Sequence, residues 1–438
     1  MHYKDLILYR FPGENRHQVS LLREFAGLIE RCREAEPVSE EEQETLRLVY
    51  YRSAGRLFEI ASSHGFSGNL WQDYLTLFLV DAENAYSISC EKRGEQKDSS
   101  VNALALHDLA IIRELFDFDL EILERELAVD GVDALLSFTS ADENGFVFNR
   151  RIRDRIQELS GELAKAESVA SFQKALSLFY EQFGVGTFGL HKAFRLSHDE
   201  TGALVIQPIT RIAHVSLSDL VGYETAKKKL IDNTEAFVKG LPANNCILYG
   251  DAGTGKSSSI KAILHQYYDQ GLRMVELYKH QFQDLNPLIG MLKNRNYRFI
   301  IYMDDLSFEA FETEYKYLKA LIEGGLEKKP ENILIYATSN RRHLIRENFS
   351  DRDEQDDDIH RNATVQEKLS LVSRFGVSIY FGAPEPEEYE NIVLALAKRN
   401  GISLPREELL AGARQWELSH GGRSGRTAVQ YITYLGSR

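Results

Sequence analysis

The feature of this sequence that most restricts its fold is a glycine-rich segment near the middle of the chain. Residues Gly250 to Ser257 read GDAGTGKS, which fits the pattern G-x-x-x-x-G-K-[ST] at every fixed position. An apolar run from Cys246 to Tyr249 precedes the segment and is typical of a buried strand, and apolar side chains at helical spacing follow it as far as Gly271. A loop between a strand and a helix is the setting in which this motif holds phosphates. We therefore expect the chain to bind a nucleoside triphosphate, and a chance glycine-rich turn is the disfavoured alternative.

The residue types of this segment account for its chemistry. Glycines allow backbone amides to turn toward a polyphosphate without side-chain clashes, and the following helix directs its amino-terminal dipole at the anion. Lys256 supplies a point charge for the outer phosphates, and the Ser257 hydroxyl is a ligand for Mg²⁺. The nucleotide-binding residues predicted from this segment are Gly250, Asp251, Ala252, Gly253, Thr254, Gly255, Lys256, Ser257 and Ser258.

Composition limits the classes of partner. The chain has 438 residues, enough for two or three domains, and a net charge of -14 that gives no overall attraction to nucleic acid or anionic lipid, although a local basic patch would still permit nucleic-acid binding. No apolar run is long enough to span a membrane. Three cysteines without paired spacing are typical of a reducing, cytoplasmic environment, and the twelve histidines form no metal-ligand pattern.

The pattern of elements predicts four segments. Residues 1–190 are mainly helical, residues 191–216 contain a β-hairpin that serves as a linker, and residues 384–438 are again helical. Between them, in residues 217–383, buried strands alternate with helices, which is typical of a parallel sheet with right-handed crossovers. The predicted fold class is thus α/β, a phosphate-loop nucleotide-binding core with a C-terminal helical lid, preceded by a mainly α-helical N-terminal domain.

Two carboxylates follow the strand predicted at Phe299 to Met303. Ligands gather at the carboxyl ends of parallel strands, so we expect Asp304 to hold Mg²⁺, commonly through water, and Asp305 to orient or deprotonate the attacking water. A pair of helix-capping aspartates is the alternative interpretation.

Four further residues carry polar groups suited to phosphate chemistry. Asn340 ends the strand that reads ILIYATSN and is a candidate to hydrogen-bond the attacking water or the γ-phosphate. Arg374 precedes the strand at Val377 to Phe381, and an arginine in such a position neutralises phosphate charge, often on a neighbouring subunit. Arg423 and Arg426 lie near the start of the last predicted helix. A turn residue and surface ion pairs remain the alternatives.

Taken together, these motifs resemble the AAA+ ATPases. The segments GDAGTGKS, FIIYMDD, ATSN, SRFG and GGRSGR are similar in order to Walker A, Walker B, sensor 1, the box-VII arginine and sensor 2. The segment LSDLVGYE resembles the one that such proteins fold over the adenine, with Val221 and Gly222 at the matching positions. The resemblance covers about 217 to 438, and a narrower one points to a bacterial ATP-binding family known only as a domain of unknown function.

This resemblance implies roles residue by residue. It makes Asp304 the Walker B residue, Asn340 sensor 1 and Arg374 the arginine finger, with Arg426 as sensor 2 and Arg423 as second choice. Most active AAA+ ATPases carry glutamate where this chain has Asp305, whose carboxylate is one methylene shorter. Glu309 is the candidate substitute.

The function expected from these residues is Mg²⁺-dependent ATP hydrolysis that drives a conformational change on an unidentified protein partner, in a homo-oligomer that assembles with ATP. A nucleotide-binding switch with little turnover is one alternative, and a DNA-associated loader or initiator-like ATPase is another. A phosphoryl-transfer kinase is the third and most distant.

Overall fold

The computed structural model of the chain forms two compact units, Met1–Leu190 and His191–Arg438, which we call the helical unit and the sheet unit. Within them it describes residues 2–10, 16–34, 39–95, 98–139, 149–210, 212–213, 215–307, 318, 322, 330–340 and 374–437. No helix among these residues is long and apolar enough to cross a membrane.

The described part of the helical unit consists of helices and connecting turns. The helices are α1 (Arg16–Arg33), α2 (Glu40–His64), α3 (Leu70–Asp81), α4 (Ala85–Arg93), α5 (Ser100–Phe116), α6 (Glu121–Leu127), α7 (Val132–Leu136), α8 (Arg150–Ala164), α9 (Val169–Phe183) and α10 (Gly186–Leu190). Local sequence sets the ends of α2. Ser39 caps its first turn by accepting the Glu42 N–H, and Gly65 ends it in the left-handed conformation at φ 73°.

Aromatic side chains dominate the core of the helical unit. Trp71 is fully buried, its ring centroid lies 4.5 Å from that of Phe25, and its Nε1 donates to the Leu115 carbonyl at 2.8 Å. Tyr180 is equally buried and donates its hydroxyl to the Leu79 carbonyl at 2.6 Å. Large rings thus fill the space between helices while their polar atoms find backbone partners.

The sheet unit alternates strands and helices before ending in helices. Its strands are β1 (Ala193–His198), β2 (Leu204–Pro208), β3 (Cys246–Gly250), β4 (Leu272–Glu276), β5 (Arg298–Met303), β6 (Ile333–Ser339) and β7 (Val377–Phe381). Its described helices are α11 (Glu224–Val238), α12 (Lys256–Tyr267), α13 (Leu285–Leu292), α14 (Pro386–Arg399), α15 (Arg406–Ser419) and α16 (Gly425–Gly436).

The strands form one sheet in the order β2-β1-β4-β5-β6-β3-β7. Only the β1–β2 hairpin is antiparallel among the described pairs, and every other pair of neighbours is parallel. Because β1 also pairs with β4, the hairpin continues the central sheet. The predicted α/β fold, with a parallel-sheet core, C-terminal helices and a mainly helical N-terminal region, is therefore confirmed.

The three C-terminal helices have a core of their own. Tyr389 and Val393 of α14 pack with Leu409 of α15 and with Tyr431 of α16. Val221, which precedes α11, packs against the same cluster. The segment before α11 therefore touches the lid helices, and this contact closes one side of the cavity described below.

Candidate functional site

A cavity of about 570 Å³ lies where the carboxyl ends of β3, β5 and β6 meet α14 and α16, and its size is typical of small-ligand sites. The predicted site residues that line it are Val221, Gly253, Thr254, Gly255, Lys256, Ser257, Ser258, Asp304, Asp305, Asn340 and Arg426. Those that do not line it are Gly222, Gly250, Asp251, Ala252, Arg374 and Arg423. Glu309 lies outside the described residues.

The loop after β3 delivers Lys256 to this cavity. Gly255 adopts φ 92°, a conformation that favours glycine, and α12 begins at the next residue. The Lys256 Nζ donates to the carbonyls of Gly250 at 3.0 Å and of Asp251 at 2.6 Å. Burial lowers the pKa of the Lys256 amine, while nearby carboxylates, of which Asp251's is the strongest, oppose that shift.

Asp304 follows β5 and accepts hydrogen bonds from two hydroxyl groups. Its Oδ1 accepts the Ser257 Oγ at 2.8 Å and the Thr338 Oγ1 at 2.5 Å. Burial raises the pKa of the Asp304 carboxyl. Hydrogen bonds from neighbouring hydroxyl groups, of which Thr338's is the strongest, lower the pKa by more, so that the net pKa lies below its ordinary value. Asp304 is therefore a carboxylate at neutral pH.

The adjacent Asp305 is held in an uncommon conformation. Its φ of 49° is in the left-handed region, which costs a residue other than glycine about 1 kcal/mol or more. Its backbone N–H donates to Thr338 Oγ1 at 2.9 Å, and its Oδ1 accepts Asn340 Nδ2 at 2.8 Å. These two bonds offset the strain and hold the Asp305 side chain at the cavity.

The donor set fits Mg²⁺. The ion prefers oxygen ligands and keeps several of its waters, so it needs few protein groups. The Ser257 hydroxyl and the Asp304 carboxylate provide two such oxygens 2.8 Å apart at the edge of the phosphate loop. Ser257 and Asp304 are therefore the residues that would hold the ion beside the phosphate loop.

The last helix closes the phosphate side of the cavity. At the start of α16, the Arg426 N–H donates to the Gly253 carbonyl at 3.2 Å. A Cβ at Gly253 would lie 2.9 Å from the Arg426 Cβ, so the helix rests directly on the loop. Arg426 is exposed and lines the cavity, whereas Arg423 does not. The geometry thus favours Arg426 of the two predicted arginines.

The rest of the cavity lining is mostly apolar, and sequence reasoning identified only Val221 in it. The other side chains of this lining, which the sequence did not single out, are Asp219, Leu220, Tyr223, Ile392, Leu396, Val429 and Gln430. Most belong to the segment before α11 and to the lid helices, which the fold brings together over long sequence separations. Apolar walls of this kind suit a nucleobase.

Thr338 is another residue that the sequence reasoning missed. Its hydroxyl donates to Asp304 and accepts from the Asp305 backbone, so one side chain orients both carboxylates. The sequence holds part of the signal for this contact at the ends of β5 and β6. Met303 pairs with Ala337, which places Asp304 beside Thr338, but only the observed register identifies that neighbour.

Arg374 lies near the amino end of β7, whereas the cavity lies at the carboxyl ends of the strands. It precedes β7, whose first residue Val377 pairs with Cys246 at the start of β3, whereas the phosphate loop leaves the end of β3 beside Phe381. Five residues of strand span roughly 13 Å, so Arg374 is remote from the phosphate loop of its own chain.

A family model covers the sheet unit, and two known proteins are similar to parts of the chain. The family model described as "Protein of unknown function (DUF815)" matches residues 189–438. The replication factor C large subunit of Staphylothermus marinus is 37% identical over 68 residues, which make up 15% of this chain and 15% of that protein, so the chain spans only a small part of that curated relative. A solved structure of a Thermotoga maritima RuvB variant is similar at 13% identity over 50% of this chain and 72% of that one, with a TM-score of 0.33. The chain therefore belongs to the DUF815 family of proteins of unknown function, and its sheet unit is an α/β fold with a mostly parallel sheet and a phosphate loop.

Proposed function

We propose that this protein binds Mg²⁺ and ATP in the cavity of the sheet unit and hydrolyses the ATP. Hydrolysis moves the C-terminal helices, and this movement acts on a protein partner. One observation carries the proposal. Ser257, Asp304, Thr338, Asp305 and Asn340 form a continuous hydrogen-bonded network along the edge of the phosphate loop. A network of metal-binding and water-orienting groups beside Lys256 is what hydrolysis of a triphosphate requires.

Each residue of the site has a separate role in the proposed reaction. Lys256 and the loop amides bind the outer phosphates, and the Asp305 carboxylate, oriented by Asn340, accepts the proton of the water that attacks the γ-phosphorus. The bond to the bridging oxygen breaks, and ADP and inorganic phosphate result. Mg²⁺, when bound, supplies positive charge that neutralises the phosphate oxygens. Arg426 adds a guanidinium from the lid side.

Arg374 supports an oligomer. Because it lies at the edge of the sheet remote from its own phosphate loop, it serves catalysis only if it reaches the cavity of a neighbouring copy. We therefore propose a homo-oligomer in which one protomer completes the site of the next, and in which ATP strengthens the contact.

Phosphate release tests this proposal. Lys256→Ala and Arg374→Ala should each abolish most of the turnover when assayed alone, because one lacks the phosphate contact and the other lacks the charge offered to its neighbour. Mixed in equal amounts, the two variants should recover part of the activity, since some interfaces then pair an intact loop with an intact arginine. Absence of turnover in the wild-type protein would contradict the ATPase, and absence of recovery on mixing would contradict the role of Arg374.

A nucleotide-binding switch with little turnover is the second candidate. The Asp305 side chain is one methylene shorter than glutamate, and Asn340 holds its Oδ1 at 2.8 Å. Such a carboxylate favours a resting orientation over water activation. Asp305→Glu separates the two functions. If the aspartate side chain is too short to reach the attacking water, the glutamate variant should gain turnover. If the protein is an efficient ATPase built around aspartate, the variant should lose turnover.

A further inference from the structure

We propose that Asp251 is a positioning residue that connects the phosphate loop to the hinge of the C-terminal helices. The hinge is the segment from Phe381, the last residue of β7, to Glu385, which precedes α14. Loss of the γ-phosphate then moves these helices through the hinge as well as through Arg426. The proposal rests on the proposed ATPase function and names the residue through which the site acts on the lid.

The contacts of Asp251 point toward the hinge. Asp251 occupies the first variable position of the phosphate loop, yet it does not line the cavity. Its Oδ2 accepts the N–H of Ala383 at 2.8 Å, and its own N–H donates to the Phe381 carbonyl at 3.0 Å. One residue of the loop thus bonds to two residues of the hinge.

The preceding glycine makes this connection tight. Gly250 pairs with Phe381 in the sheet, and a Cβ at Gly250 would lie 2.0 Å from the Phe381 carbonyl oxygen. No other residue type fits between the loop and the hinge at this distance. Because close-packed segments transmit displacement, a shift of the loop at Gly250 moves the start of the hinge with it.

The carbonyl of Asp251 faces the phosphate-binding lysine. It accepts the Lys256 Nζ at 2.6 Å and the Thr254 Oγ1 at 2.8 Å. An ammonium has three donors, and two of them go to the Gly250 and Asp251 carbonyls, which leaves one for a phosphate oxygen. A continuous path therefore runs from the phosphate through Lys256 and Asp251 to Ala383.

The other face of the loop contacts the end of the same helical segment. The Gly253 carbonyl accepts the Arg426 N–H at the start of α16, while Asp251 holds the residues that lead into α14. The loop lies between the beginning and the end of the lid sequence. A rearrangement of the loop on phosphate loss therefore rotates the three helices together about the hinge.

The experiment compares Asp251→Ala with Asp251→Asn in the full chain. Asparagine keeps an oxygen that accepts the Ala383 N–H, whereas alanine removes it. Spin labels on Asp269→Cys and Glu407→Cys, at exposed positions of the core and the lid, report the core-to-lid distance in Mg²⁺ with ADP or with a non-hydrolysable ATP analogue. Titration of the same variants gives the ratio of the two nucleotide dissociation constants.

The wild-type protein should show a distance that differs between the two nucleotides. Asp251→Ala should lose at least half of that difference, and its preference for the triphosphate over ADP should fall about tenfold, since coupling between two sites is reciprocal. Asp251→Asn should stay within about threefold of the wild-type preference because the hydrogen bond to Ala383 remains.

A neighbouring hinge contact supplies the matched control. The Tyr223 hydroxyl donates to the Gly382 carbonyl at 2.9 Å, so Tyr223→Phe loosens the hinge without changing the phosphate loop. The preference for the triphosphate over ADP should survive in Tyr223→Phe, because the base and ribose are the same in both nucleotides. An equal loss in Tyr223→Phe and Asp251→Ala would show general loosening and overturn the proposal.

The remaining outcomes are distinct. A full distance change in Asp251→Ala, alongside the same change in the wild type, would overturn the role of Asp251 and leave the ATPase standing. Equal losses in Asp251→Asn and Asp251→Ala would assign the effect to the charge and overturn the hydrogen-bonded connection. A wild-type protein that binds both nucleotides without any distance change would overturn this proposal together with the proposed movement of the lid.

Discussion

The helical unit and the sheet unit use their polar side chains in opposite ways. In the helical unit, the fully buried Asp108 accepts the backbone N–H groups of Ile7 to Tyr9 and so anchors the start of the chain to α5. In the sheet unit, the carboxylates of Asp304 and Asp305 lie at the cavity. Polar groups of the first kind complete the fold, and those of the second kind remain available to a ligand.

Charge and backbone strain follow the same division. The net charge of -14 is contributed almost entirely by residues 1–190, and the sheet unit is close to balanced. The described non-glycine residues with positive φ are Ala128, Tyr223 and Asp305, and the last two line the cavity. Strained backbone conformations are typical of functional sites, where several elements bring polar groups close together. Ala128, the third of these residues, belongs to the helical unit and is not among the residues that line the cavity.

If the helical unit is chiefly a packed scaffold, its core should tolerate truncation least. Phe25 is fully buried against Trp71, and Phe25→Ala should lower the free energy of unfolding of that unit by about 3–5 kcal/mol through lost burial and a cavity. The chain has two tryptophans, Trp71 and Trp416, one in each unit, so denaturant unfolding of single-tryptophan variants follows the units separately.

The control for this prediction is Leu48→Ala, a truncation at a side chain that is 70% exposed. It should change the free energy of unfolding by no more than about 0.5 kcal/mol. ATP binding should survive in Phe25→Ala wherever the sheet unit remains folded. A loss of ATP binding in step with the Trp71 transition would break the comparison, because the two units would then unfold as one.

In the sheet unit, the largest effect should fall on binding rather than folding. Lys256→Ala removes the ammonium beside the phosphate loop and should weaken Mg²⁺-dependent ATP binding about 100-fold, in the range expected for losing one partner of a charged hydrogen-bonded pair. Lys229→Ala is the matched control, since it removes the same charge from an exposed position on α11. Calorimetric titration measures both, and equal weakening in the two variants would assign the effect to net charge.

The sequence predicted the sheet unit better than its cavity, for a physical reason. The phosphate loop and strands such as Val377–Phe381 are encoded in contiguous residues, whose spacing alone specifies them. Thr338 and Gln430 reach the cavity only through strand register and helix docking, which no local pattern encodes. Asp251 was predicted to bind nucleotide because of its place in the motif, whereas its carboxylate contacts the backbone of the hinge.

A half-buried carboxyl in the helical unit should make the stability of that unit depend on pH. Burial, with a smaller contribution from the charge of Glu83, raises the pKa of Asp81 to about 6. The folded state therefore binds this proton more tightly than the unfolded state, and stability falls as pH rises from about 4 to above 6. Asp81→Asn should raise the free energy of unfolding by about 2–3 kcal/mol at pH 8 and by little at pH 4. Urea unfolding followed at Trp71 measures this difference, and an equal effect at both pH values would contradict it.

The smallest effect that we predict concerns the residue that orients both site carboxylates. Thr338→Val keeps the shape of the side chain and removes the hydroxyl that joins Asp304 to the Asp305 backbone. Turnover should fall about tenfold, the equivalent of one hydrogen bond of 1.4 kcal/mol, while Thr338→Ser should retain most of it. Steady-state phosphate release is the measurement. Turnover of Thr338→Val equal to that of the wild type would show that the network does not position the carboxylates.

The central claim is that Asp304 and Ser257 hold Mg²⁺ beside a triphosphate bound at Lys256. The most direct test is calorimetric titration of ATP into the wild-type protein and into Asp304→Asn, each with Mg²⁺ and with the ion chelated. We predict that the wild type binds ATP more tightly with Mg²⁺, and that Asp304→Asn loses this gain while retaining its metal-free affinity. A wild-type protein that binds no ATP, or an Asp304→Asn variant that keeps the full gain from Mg²⁺, would contradict the account.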